Sequence, residues 1–166
     1  EPNLRKQYEN FVNVASHKID LLTFLFDQIP QVKYVDFRPS AMSYAFLDYE
    51  SFPALLEWGL FLSDSNGMKE SIEIRFENGE LTIQIPPGFL RNVSAQLTLR
   101  IDQKGKAAGV HETKIKSDYI WSFESSARGF INAVKTGKQS DHAGKNVVKD
   151  FEIIDSIWRI ICEQKQ

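Results

Sequence analysis

The sequence predicts an α+β fold: an open, mainly antiparallel β-sheet with helices packed on one face. Three observations carry this. Residues 71–85 alternate apolar and polar side chains on either side of Asn78-Gly79, the pattern of a β-hairpin. Two stretches near the C-terminus, Phe123 to Val134 and Val147 to Ile161, repeat their apolar residues at helical spacing instead. One more helical pattern, Asn13 to Phe26, lies ahead of all the strands. Strands gathered in the middle with helices at the ends give segregated layers rather than alternating βαβ units.

Residues 1–12 are polar and charged, with Tyr8 and Phe11 as apolar anchors, and are expected to be a passage into the first helix. That helix is expected to open at Ser16, whose hydroxyl can accept from a free amide of the first turn. Asp20 then falls in the early turns, where the positive end of the helix dipole favours a carboxylate. Ile19, Leu21, Leu22, Phe24, Leu25 and Phe26 cover more than one stripe, so burial on most sides is expected. His17 is thereby placed at the mouth of a buried helix, as a candidate titratable site or as a group that satisfies a cap or a core hydrogen bond. Pro30 cannot extend the helix, which ends near Asp27-Gln28.

Gln31 to Phe37 reads as a strand, alternating through Val32, Tyr34 or Val35, and Phe37; Arg38-Pro39-Ser40 breaks it. Ser43 to Tyr49 is a second strand. Phe52 to Leu62 is an apolar run that Pro53 and Gly59 turn away from helix, and it is read as a strand buried on both faces. Helices would cover one face and a second subunit the other, with Trp58 and Phe61 as aromatic anchors of a homo-oligomer; membership of the domain's own core is the alternative for both. The Asn78-Gly79 turn is expected to pair Phe76 with Leu81, Ile74 with Ile83 and Ile72 with Ile85, all on one face.

A second hairpin is expected over Ala95 to Ile115, turning at Gln103 to Lys106. Its return strand, with His111, Glu112, Lys114 and Lys116, is polar enough to be an edge. The first closing helix carries the stripe Phe123, Ala127, Phe130, Val134 and a C-cap glycine, Gly137. The second carries Val147, Phe151, Ile154, Trp158 and Ile161.

Composition excludes several classes of function. The formal net charge is −2 with acids and bases interspersed, which argues against a nucleic-acid partner. A single cysteine, Cys162, rules out an internal disulfide. No apolar run approaches the ~20 residues of a membrane span, so no membrane partner and a cytoplasmic location are expected. No cysteine, histidine and carboxylate set has zinc-like spacing, and no metal is expected. Glycines occur singly, so no glycine-rich turn can cradle a pyrophosphate at a helix N-terminus.

Three segments carry a family resemblance. They are N-V-A-S-H-K-I-D-L-L from Asn13, F-I-N-A-V-K-T-G-K from Phe130, and A-G-K-N-V-V-K-D-F-E-I-I-D-S-I-W-R from Ala143. They resemble the opening and the last two helices of the C-terminal domain of the Gfo/Idh/MocA oxidoreductases, the relatives of glucose–fructose oxidoreductase and inositol dehydrogenase. The resemblance implies that residues 1–166 form a single C-terminal substrate-binding and oligomerisation domain, with the N-terminal dinucleotide-binding domain absent from this chain. NAD or NADP would then be bound mainly by that absent domain, with no cofactor expected in this fragment and no catalysis by the fragment alone. The substrate would be a sugar, a sugar derivative or a cyclitol.

By the same resemblance His17 matches the catalytic histidine and Asp20 the acidic position three residues later, a substrate-binding role. Asn13 stands where the family usually has Asp, and a neutral amide stabilises an imidazolium less well. That departure leaves a lower histidine pKa with a lysine as main acid or base, a different substrate, or lost activity. Tyr119 and Trp121, just before a helix, are candidates to stack on a sugar ring, or else cap the core. The reading from another class is a non-catalytic module of the same fold that binds a small ligand or mediates self-association.

Overall fold

Helix α1 spans Pro2–Phe26 in the computed structural model, which describes residues 2–39, 41–59, 70–103, 109–118, 121–139 and 144–165. Residues expected to be a passage are thus helical, and Ser16 lies well inside the helix rather than at its N-cap. The cause is a longer stripe than the one first apparent. Tyr8, Phe11, Ala15, Ile19, Leu22 and Phe26 follow one another at spacings of three and four, and all belong to one core. Phe11, Ala15 and Ile19 are almost fully buried. Burial of that face outweighs the weak helix preference of Asn13 and Ser16, since helices in proteins are held mainly by packing. The outer face is not buried: Phe24 is 67% exposed. Asp27, in the left-handed region at φ 50°, ends the helix, its amide donating to the Thr23 carbonyl at 2.8 Å.

The chain divides into two compact units, Glu1–Leu62 with Asp141–Gln166, and Ser63–Ser140. In the first, β1 (Gln31–Asp36), β2 (Ser43–Asp48) and β3 (Pro53–Trp58) pair antiparallel in that order. Helix α1 and the last helix, α3 (Gly144–Glu163), pack on one face of this sheet. An irregularity between Val32 and Tyr34 settles the alternation of β1, turning Val35 fully into the core. Ala45, Leu47, Leu56 and Trp58 join it.

Trp58 is therefore a core residue, 3% exposed, with its ring 5.2 Å from Phe11, and not the interface anchor expected of it. Phe61 lies outside the described residues. Nor is β3 buried on both faces, because Leu55 points outward and is 58% exposed. Helix α3 buries Ile153, Ile154, Ile157 and Ile161, whereas Phe151, expected in its stripe, is half-exposed. Because α3 packs against both α1 and β1, its inward sector is wider than one stripe and is centred elsewhere.

The second unit holds β4 (Glu70–Phe76), β5 (Gly79–Ile85), β6 (Gln96–Gln103) and β7 (Gly109–Lys116), antiparallel in chain order, followed by α2 (Ser122–Thr136). The fold class is α+β, with its strands in two antiparallel sheets. β7 is an edge strand, as its charges predict, and His111 is exposed on it. The expected turn at residues 104–106 lies outside the described residues.

The first hairpin keeps the predicted faces but not the predicted pairs. Its register matches Ile72 with Ile83, Ile74 with Leu81 and Phe76 with Gly79, a shift of two residues. A shift of two leaves every side chain on its own face, because the strand period is two. The turn residues are Glu77 and Asn78, and Gly79 has no positive φ. Its lack of a side chain serves a close approach instead: a Cβ there would lie 2.1 Å from the Arg100 carbonyl oxygen on β6.

On the polar face of this sheet Arg100 bridges Glu80 and Glu112 on its two neighbours, each at 2.7 Å. These carboxylates hold the guanidinium pKa above its ordinary value. Helix α2 ends as predicted at Gly137, in the left-handed region at φ 66°. It has no buried residue; Phe123, Phe130 and Val134 are all more than half exposed.

Candidate functional site

Asn13, His17 and Asp20 follow one another on α1 at spacings of four and three, so they share one face of the helix. All three are exposed, on the side away from Ala15 and Ile19. Phe24, four residues beyond Asp20, continues the same row. The structure thus brings three of the sequence-predicted residues into one line. It places them in the body of a 25-residue helix, not at its mouth, so the dipole advantage expected for Asp20 is absent. The neutral Asn13 sits one turn before His17, where a carboxylate would have faced the imidazole.

Behind Asp20 lies a second carboxyl. Asp150 on α3 is 6% exposed, facing α1. Thr23 Oγ1, also buried, lies 2.5 Å from Asp150 Oδ1 and 2.9 Å from the Asp20 main-chain carbonyl. Burial raises the Asp150 pKa, the Thr23 hydroxyl opposes that, and the charge and hydrogen bonding of the Asp20 carboxylate raise it again. Next in the chain, Lys149 reaches across to Asp27 at 2.5 Å and holds that exposed carboxylate below its ordinary range.

Asp150 and Thr23 were not among the residues singled out from the sequence. The available signal was an acid three residues before Ile153 and four before Ile154, that is, on the flank of the helix's apolar face.

Trp121, the residue before α2, belongs to the other unit. The Arg91 guanidinium covers one face of its ring at 4.1 Å, and Phe123 packs beside it at 5.4 Å. Its Nε1 is buried and has no hydrogen-bond partner among the described residues. Tyr119 lies outside the described residues. A cavity of about 250 Å³ runs beside the first half of α1, lined by Lys6, Asn10, Phe37, Arg38 and Trp58 among others. Asn13, His17 and Asp20 are not part of that lining. Among the described residues no group of three or more metal-ligating side chains converges, and no helix is long and apolar enough to cross a membrane.

No protein-family model matches this sequence, and no curated protein matches it. Among solved structures it is similar to a "putative NADPH-dependent oxidoreductase" from Desulfitobacterium hafniense, with a TM-score of 0.73. The sequences are 13% identical over 93% of this chain. The chain spans 46% of that protein, somewhat under half its length. At this identity the likeness is one of fold.

Proposed function

We propose that this chain is the substrate-binding and oligomerisation domain of a nicotinamide-dependent oxidoreductase of the Gfo/Idh/MocA type. Its substrate would be a sugar, a sugar derivative or a cyclitol. One observation carries the reading. Nearly the whole chain matches the fold of less than half of a protein described as an NADPH-dependent oxidoreductase, and on that fold Asn13, His17 and Asp20 line one open helix face.

Oxidising a secondary alcohol needs a base for the hydroxyl proton, and a neutral imidazole suits that task near pH 7. In this reading His17 takes or returns that proton. Asp20 accepts a hydrogen bond from a neighbouring hydroxyl, and Asn13 orients the imidazole without lending it charge. The residues present do not fit a dinucleotide, since the glycines are single and no glycine-rich turn leads into a helix N-terminus. The redox chemistry therefore belongs to a separate nucleotide domain with NAD or NADP, and this chain contributes the proton chemistry and the orientation.

The test is His17→Ala in the protein that carries both domains. A fall in kcat of ~10²-fold or more is expected; an unaltered kcat would sink the role. A second reading, a non-catalytic binding or self-association module, draws support from the neutral Asn13. Sequencing the coding DNA ahead of Glu1 separates the two: a βαβ unit with a glycine-rich turn favours the first, and an unrelated domain the second.

A further inference from the structure

We propose that the cavity beside the first half of α1 seats an oxyanion carried by the substrate, so that the substrate is an acidic sugar, a sugar carboxylate or a sugar phosphate. Lys6 and Arg38 are the residues that select it. The link to a reacting sugar rests on the reading above for His17; the preference of the cavity for an anion does not.

The helix itself makes the connection. Lys6, Asn10, Asn13, His17 and Asp20 follow one another at spacings of four, three, four and three, so they form one row along α1. All five are exposed. Lys6 and Asn10 line the cavity, and the other three are the candidate site. At 1.5 Å per residue, Asn10 lies about 10 Å along the axis from His17, a distance that a hexose with one extended substituent bridges. The cavity, at about 250 Å³, is smaller than the ~300–1,000 Å³ of sites that enclose a whole ligand, so it suits one end of a ligand that continues along the row.

The lining decides the chemistry of that end. Its floor is apolar and buried, with Phe11 and Trp58 only 2% and 3% exposed. Its rim carries two cations, Lys6 and Arg38, and among the described residues that line it there is no carboxylate. This balance is local, since the chain as a whole has a formal charge of −2. A third cation stands beside the rim: the Lys165 ammonium lies 5.1 Å from the centre of the Phe37 ring, which belongs to the lining. A charge next to an apolar floor is less screened than one in open water, and its pull on an anion is stronger.

One acid opposes these cations. Asp36 accepts from Arg38 Nε at 3.0 and 3.1 Å and pairs with Nη2 at 3.0 Å. That occupies one edge of the guanidinium. Nη1 has no partner among the described residues, and a guanidinium has five N–H donors, so Arg38 can hold a second oxyanion without releasing the first. The backbone of Arg38 is fixed in advance. Its amide donates to Ser43 Oγ at 2.9 Å, and its carbonyl accepts from the same hydroxyl at 3.2 Å and from the Ala41 amide at 3.0 Å. Ser43 is 1% exposed. A turn held by a buried hydroxyl loses little freedom when a ligand arrives.

The experiment is an amide NMR titration of the 166-residue chain with glucose, galactose and mannose, with their uronates, and with their 6-phosphates. At least one acidic sugar is expected to shift the amides of Lys6 to Val14 and of Arg38 and Ser43, and to bind roughly tenfold or more tightly than its neutral parent. The two acidic series are separate arms, and the tighter one names the source of the oxyanion. Lys6→Gln and Arg38→Gln should each cut the preference for that acid by roughly tenfold and leave the neutral sugar as it was. Both side chains are exposed, so neither substitution removes a core contact. Inorganic phosphate is the control: if it binds as tightly as the best acidic sugar, the cavity takes an adventitious ion only and the proposal falls. Equal binding of acidic and neutral sugars, no binding of any acid, shifts confined to other residues, or variants as selective as the wild type also overturn it.

The two readings fail separately. A cavity without preference for acids, in a two-domain protein whose kcat still falls on His17→Ala, removes the anion seat and leaves the role of His17. A cavity that selects acids, in a protein indifferent to His17→Ala, leaves the anion seat and removes its link to a reacting sugar.

Discussion

Tyr49 carries a hydroxyl that finds no partner among the described residues although the residue is only 2% exposed. Its ring stacks on Phe52 at 4.8 Å, with planes 10° apart, and leans on Phe26 at 5.3 Å. Burial pushes its pKa up to about 12. The packing of the ring holds the hydroxyl where it cannot be satisfied, and a buried orphan of this kind costs ~1–3 kcal/mol. Tyr49→Phe keeps the ring and removes the orphan, so it should stabilise the fold by ~1 kcal/mol in denaturant unfolding. A clear loss of stability would mean that the hydroxyl has a partner after all.

Asp150 is the contrast: there the buried polar group has a partner, the Thr23 hydroxyl. His17, Asn13 and Asp20 could be picked out in the sequence because they lie close together along the chain. Asp150 and Thr23 are 127 residues apart and meet only through packing, so no local pattern announces them.

Among the elements, α1 shows how burial redraws a boundary. Its capping signal at Ser16 is genuine as chemistry, but a local cap of ~1 kcal/mol loses to a stripe of core residues that begins well before it. The β4–β5 hairpin shows the complementary case. Alternation fixed which side chains share a face, while the exact pairing moved by two residues, since faces are set by a period of two and register by the turn. Gly79 ties that register to β6, where its bare Cα lets the Arg100 carbonyl approach. Gly79→Ala should therefore destabilise the four-stranded sheet by ~2 kcal/mol or more. Thermal unfolding measures it, and a neutral substitution would mean that β5 and β6 can separate without loss.

At the scale of the molecule, the face of the three-stranded sheet turned away from α1 and α3 carries Tyr34, Phe46 and Leu55 side by side across the strands. They are 59%, 41% and 58% exposed. Two ion pairs, Lys33 with Asp48 and Asp36 with Arg38, lie on or just beyond the same strands. If the proposed homo-oligomer forms through this face, the row replaces Trp58 as its anchor. Phe46→Asp should then convert the assembly to monomers in sedimentation analysis. A wild type that sediments as a monomer, or a variant with unchanged mass, would remove the interface.

The sequence by itself determined the α+β class, the order of strands and helices, the polar edge strand, the glycine that caps α2 and the helix that carries the candidate site. Each follows from local periodicity, charge or backbone freedom within a dozen or so residues. Tertiary structure decided the start of α1, the division of the strands into two sheets, the inward turn of Trp58 and the meeting of Thr23 with Asp150. These depend on which face another element covers, and that is fixed by contacts between residues far apart in the chain, where burial outweighs local preference.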